Sequence, residues 1–138
     1  MAGDQGVAVM GLTPIPSSML RETAHFYIPN GMDRYQHMRD TQWQDVSNVH
    51  LQKSVDVIKG PDNTEIQLRG ILFIDVRKSE PAQDWGQVLL TAMAVGGDLR
   101  VQVEGPGYIN HGTFSVLDVI DVPDVPADRT HHWEILLV

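Results

Sequence analysis

The chain has 138 residues, 42% hydrophobic and 20% charged, the proportions of one soluble globular domain. Ten Lys and Arg against 18 Asp and Glu leave a net charge of −8, which excludes a general nucleic-acid-binding surface, because neutralising phosphates needs clustered cations. The absence of cysteine excludes disulfides, thiolate nucleophiles and zinc ribbons.

The acid excess is concentrated after Arg100, where Glu104, Asp118, Asp121, Asp124, Asp128 and Glu134 stand against Arg129 alone, six acids to one base. Asp4 sits where a secretory leader places positive charge, and the apolar run Val7–Met10 is short for such a leader. No apolar run approaches the ~20 residues of a membrane-spanning helix. The expectation is a chain that folds in a cytoplasm without a membrane anchor.

Residues 1–20 read as an extended apolar arm. Pro14 and Pro16 preclude a helix there, and Val7, Val9, Met10, Leu12 and Ile15 are too apolar for a comfortable free tail, so docking on a partner is expected. Residues 21–138 form the single domain. His25–Ile28 is a short strand stopped by Pro29-Asn30-Gly31. The polar stretch 30–48 reads as a long loop, and its aromatics Tyr35 and Trp43 suit an interface. Val49, Leu51, Val55 and Val57 then alternate with polar residues, Gly60-Pro61-Asp62-Asn63 turns the chain, and Ile66–Ile74 returns as the second strand of an antiparallel hairpin.

Trp85, Val88, Leu89, Ala92 and Met93 make one apolar stripe at helical spacing, predicting a helix over about 80–96 that starts near Ser79–Pro81 and ends at Gly96-Gly97. Gly86 inside it costs roughly 1 kcal/mol relative to alanine, for which a close packing contact is the natural reason. Leu99, Val101 and Val103 alternate with polar residues, and Gly105-Pro106-Gly107 is a hairpin turn. Thr113–Asp121 reads as a strand apolar on both faces at its middle, and 121–129 as an acidic, proline-containing loop. Thr130–Val138 is the last strand, with His131, Trp133, Ile135 and Leu137 on one side. The fold class is mainly β (α+β): a small barrel or two packed antiparallel sheets flanked by one helix.

No reacting centre emerges from the pattern. His131 and His132 are adjacent, and adjacent strand residues point to opposite faces, so they cannot share an ion without a bulge. His25, His37, His50 and His111 lack ligand spacing. Asp118, Asp121 and Asp124 lack the oxygen count and glycine turn of a calcium loop. Gly105-Pro106-Gly107 lacks the helix and lysine of a phosphate loop, and Ser17-Ser18 has no histidine at a recognisable spacing.

The order of blocks resembles a family. Leu68-Arg-Gly70-Ile-Leu72, the helix ending in glycine, the run Glu104–Asp121 with Gly105, Gly107, Gly112, Phe114 and Val116, and the closing Glu134-Ile135-Leu-Leu137 are similar to the GpU-like tail proteins of contractile-tailed phages, over roughly residues 49–138. The resemblance implies a tail-tube-like fold and a homo-hexameric ring joining tail tube to baseplate, sometimes called the ripcord position. It implies no enzymatic activity, no cofactor and no metal. It also implies a place in the virion tail, with a tube protein, the baseplate hub, its small adaptor and the sheath as neighbours. Val7, Val9, Leu12, Ile15, Tyr35, Trp43 and Tyr108 become subunit-interface candidates. Asp118, Asp121, Asp124 and Asp128 become candidates to line a lumen through which DNA passes without specific binding. The alternatives are a head-proximal terminator or tube-like ring on the same fold, and a monomeric barrel that binds a small ligand or peptide.

Overall fold

The computed structural model of the chain describes residues 13–28, 42–95, 98–125 and 129–138. Among the described residues the protein is mainly β with one α-helix. In chain order come β1 (Glu22–Ile28), β2 (Gln42–Lys53), β3 (Val57–Lys59), β4 (Glu65–Gln67), β5 (Gly70–Asp75), α1 (Trp85–Ala94), β6 (Arg100–Gly105), β7 (Ile109–Pro123) and β8 (Thr130–Leu137). Six strands close an antiparallel barrel in the order β1-β2-β5-β8-β7-β6, and β3 with β4 form a separate two-stranded ribbon. The seam is the pairing of β1 with β6, from Thr23 opposite Glu104 to Tyr27 opposite Arg100.

The six strands close into a barrel within one chain, so copies of the protein are not needed to close it. Among the described strands, β3 and β4, paired from Val57 opposite Gln67 to Lys59 opposite Glu65, lie outside that closure.

Alternation builds the core. Ala24, Phe26 and Ile28 of β1, Leu72 and Ile74 of β5, Val101 and Val103 of β6, and Trp133, Ile135 and Leu137 of β8 all point inward and are buried. Along α1, Trp85, Leu89 and Ala92 are buried, with Val88 and Met93 packed at the margin, as the stripe predicts. Trp85 lies on Phe26 with ring centroids 6.0 Å apart. The Gly105–Gly107 turn joins β6 to β7, with Gly107 in the left-handed region at φ 76. Because neighbouring strands run antiparallel, the ribbon, the β6–β7 turn and the C-terminus gather at one end of the barrel. The connection that carries α1 lies at the other.

Four expectations are corrected. Residues 42–48 are not loop but the first half of β2, paired with β1 from Gln42 opposite Ile28 to Ser47 opposite Thr23. A bulge at Asn48, with φ 58, skips one residue of the ladder and breaks the apolar alternation that would have revealed the strand. The remainder of the loop, residues 29–41, lies outside the described residues. The helix begins at Trp85 rather than near Ser79–Pro81. Ser47 and Glu80 exchange backbone hydrogen bonds of 2.8 and 3.1 Å, and the buried Ser79 hydroxyl donates to the Asn48 carbonyl at 2.6 Å. That segment is therefore tied to β2, and Asp84 caps α1 by accepting from the Gln87 amide at 3.0 Å. Its Gly96-Gly97 stop lies outside the described residues.

The strand expected over 66–74 is divided at Leu68-Arg69 into β4 and β5. The Arg69 amide donates to the Leu137 carbonyl at 2.8 Å, turning the hairpin from ribbon into barrel. Finally, β7 is longer than expected and covered mainly on one face: Phe114 and Val119 are buried while Ile120 is exposed.

Gly86 has the close contact its cost implies. An added Cβ would stand 2.5 Å from Nε1 and 2.9 Å from Cδ1 of Trp133, a buried core ring. Gly86→Ala therefore lowers stability by about 1–3 kcal/mol despite its better helix propensity. Urea denaturation of the two proteins checks this, and a gain in stability would refute the packing account.

Candidate functional site

Of the interface candidates, Ile15, Trp43 and Tyr108 fall among the described residues. Val7, Val9, Leu12, Tyr35 and Asp128 lie outside the described residues. Ile15 is half-buried, and its carbonyl accepts from the Lys78 ammonium at 2.6 Å, so the end of the arm is tied to the domain. Leu20 beside it is buried. Trp43 stands on β2 with its side chain 58% exposed and its ring 4.8 Å from that of Tyr27 on β1. Tyr108 is 87% exposed at the β6–β7 turn, followed by the exposed Ile109. Val55 and Val57 are exposed at the start of the ribbon. Exposed apolar side chains therefore stand at both ends of the barrel: Val55, Val57, Tyr108 and Ile109 at the ribbon end, and Trp43, paired with Tyr27, toward the opposite end.

The acids separate as well. Asp118 and Asp121 are exposed on β7, where Asp121 accepts from the Thr130 hydroxyl at 2.8 Å. Asp124 is only 4% exposed and lies 3.5 Å from Arg129 and 3.8 Å from Arg77. It is removed from the lumen-facing set, because a carboxylate buried against cations in its own chain is not a surface charge.

Beside Trp43 the barrel assembles a cluster that sequence reasoning missed. His25 on β1 lies between Asp45 on β2 and Glu104 on β6, with Nδ1 2.7 Å from Asp45 Oδ1 and Nε2 2.7 Å from Glu104 Oε1. A neutral imidazole donates one hydrogen bond only, and ionised carboxylates only accept. Both contacts are satisfied together by the doubly protonated ring. Burial, the largest single influence, favours the neutral form. The hydrogen bonds that the ring donates to Asp45 and Glu104 and the charges of both outweigh it and raise the His25 pKa above its ordinary 6.5. Three strands are thereby stapled on the outer wall, across sequence separations of 20 and 79 residues. No local motif encodes such a cluster, which needs β1 to lie between β2 and β6.

The second missed feature is at the start of β8. His131 and His132 do not point to opposite faces. The β7–β8 register shifts between Val122, opposite His132, and Pro123, opposite Thr130, and this bulge brings the two imidazoles side by side with Nδ1 atoms 2.8 Å apart.

Among the described residues no helix is long and apolar enough to cross a membrane. No family model, curated protein or solved structure matches the chain.

The staple sets a pH dependence. A cation favoured by folding contributes stability that is whole below about pH 6.5 and is lost as pH rises through the raised folded value. Urea midpoints of wild type and His25→Gln, followed from about pH 6 to pH 9, should show wild type losing its advantage as pH increases. An advantage that grows over that range would contradict the assignment.

Proposed function

We propose that this chain is a structural subunit of a contractile phage-like tail, six copies of which form a ring joining the tail tube to the baseplate. The observation that carries this reading is the set of exposed apolar side chains held at different ends of a closed barrel. A ring needs two unlike surfaces, since each subunit meets one neighbour through one face and the next through the other. The ribbon and turn offer Val55, Val57 and Tyr108 on one side, and Trp43, its ring tilted 52° against that of Tyr27, offers an aromatic anchor on the other. Exposed aromatics fixed on strands and turns are effective anchors, because little side-chain freedom is lost when they are covered.

The resemblance of the Leu68–Leu72, Gly105–Val116 and Glu134–Leu137 blocks to GpU-like tail proteins supports the same reading. The work is mechanical. Side chains and the β3–β4 ribbon hold the ring, since the barrel is already closed within each chain. Asp118 and Asp121, with the overall charge of −8, suit a lumen that repels passing DNA. In this reading the protein is assembled in the host cytoplasm and resides in the virion tail, next to the tube protein, the hub with its small adaptor, and the sheath.

Native mass spectrometry and electron microscopy of the full chain, alone and with a tube protein, test this. Sixfold rings are expected, and Trp43→Ala and Tyr108→Ala should each weaken association by roughly tenfold or more while leaving the circular dichroism unchanged. A chain that stays monomeric under all these conditions, and is indifferent to both substitutions, overturns the reading.

A further inference from the structure

The bulge in β8 creates an arrangement with its own chemistry. His132 is nearly buried, and its ring is held on two sides: it stacks on Phe73 with centroids 5.6 Å apart, and its Nε2 lies 3.0 Å from Glu134 Oε2. A carboxylate accepts, so Nε2 carries the proton and the lone pair of His132 resides on Nδ1. That lone pair faces Nδ1 of His131, 2.8 Å away, on a ring turned 79° to the first. The His131 residue is half-buried.

We propose that His131 and His132 form a two-nitrogen chelate for a divalent transition-metal ion, with Glu134 as the outer carboxylate that orients His132. A histidine ligand whose other ring nitrogen donates to a carboxylate is the usual arrangement around protein-bound metals. Metal–nitrogen bonds of about 2.0–2.1 Å place two ligands roughly 3 Å apart, so the 2.8 Å between the hydrogen-bonded nitrogens is within reach of a chelate. Imidazole nitrogen suits Cu²⁺, Ni²⁺ and Zn²⁺, and among these Cu²⁺ binds nitrogen sites most tightly. Among the described residues no group of three ligating side chains converges, so water completes the coordination. Without metal, the His131 Nδ1–H donates to the Nδ1 lone pair of His132. When the ion binds, this proton leaves Nδ1 and Nε2 of His131 takes one from solvent, so each ring keeps one N–H and both Nδ1 lone pairs go to the ion.

The test uses the full chain freed of metal by chelator. Substoichiometric Ni²⁺ should broaden the ¹⁵N and ¹H ring resonances of His131 and His132 before those of His25, His50 and His111. Cu²⁺ bound at one equivalent should show coupling to two imidazole nitrogens by electron paramagnetic resonance. In calorimetry, His131→Ala should weaken Cu²⁺ binding at least about tenfold and Glu134→Gln about 10- to 100-fold, while His111→Gln changes it little. Zn²⁺ should bind more weakly than Cu²⁺. Broadening that begins at other histidines, or Cu²⁺ affinity unaffected by His131→Ala, overturns the proposal. The resonance experiment needs no substitution, so a variant that fails to fold leaves it decisive.

Discussion

The pairing of β1 with β6 is the constraint on which the molecule depends. Without it the strands would form a curved sheet with two open edges, and the apolar faces of β1 and β6 would meet solvent. With it, Thr23 through Tyr27 lie along Glu104 through Arg100, and Ala24, Phe26, Val101 and Val103 come together inside a closed wall. Closure leaves side chains as what stands out from the wall, and among the described residues these include exposed apolar groups at the ribbon, at one turn and on one strand pair.

The helix makes the closure durable. It is the connection between β5 and β6, and its buried face rests on the barrel core, with Trp85 on Phe26 and Gly86 against Trp133. One glycine lets helix and strand approach closely enough for the tryptophan indole to pack, which explains a residue that otherwise costs helix stability. The same closure places His25 between carboxylates of two neighbouring strands, so the proton on that ring becomes part of the wall's cohesion. The bulge at the β7–β8 register shift does comparable work locally, turning two side chains that strand geometry separates into neighbours.

Much of the fold is legible in the order of residues. Leu99, Val101 and Val103 alternate with polar residues, and they point inward as that alternation requires. The stripe from Trp85 to Met93 locates α1, and the glycine–proline turn after Glu104 locates a hairpin. The misreadings share a cause, which is contact between residues distant in the chain. The first half of β2 resembles a loop because its outward face carries Trp43, Asp45 and Ser47, and the Asn48 bulge interrupts its period. The apparent start of α1 comes too early because Ser79 and Glu80 have the composition of a helix N-terminus while their hydrogen bonds go to β2. Asp124 has the look of a surface acid because composition does not show that Arg77, 47 residues away, lies beside it.

Periodicity belongs to the chain alone: which residues face inward on each strand, where the helix stripe runs, where glycine and proline turn the backbone, and the acidic charge of the whole. These are local properties, fixed by backbone geometry and solvent preference over a few residues. The assembled fold was needed to establish that the sheet closes on itself, that His25 bridges Asp45 and Glu104, and that His131 meets His132. Those depend on strand order, on bulges and on one-residue shifts of register, and a ladder hydrogen bond is worth nearly the same whichever partner strand supplies it. The choice among partners is made by the packing of the entire core at once, and no short stretch of sequence contains it.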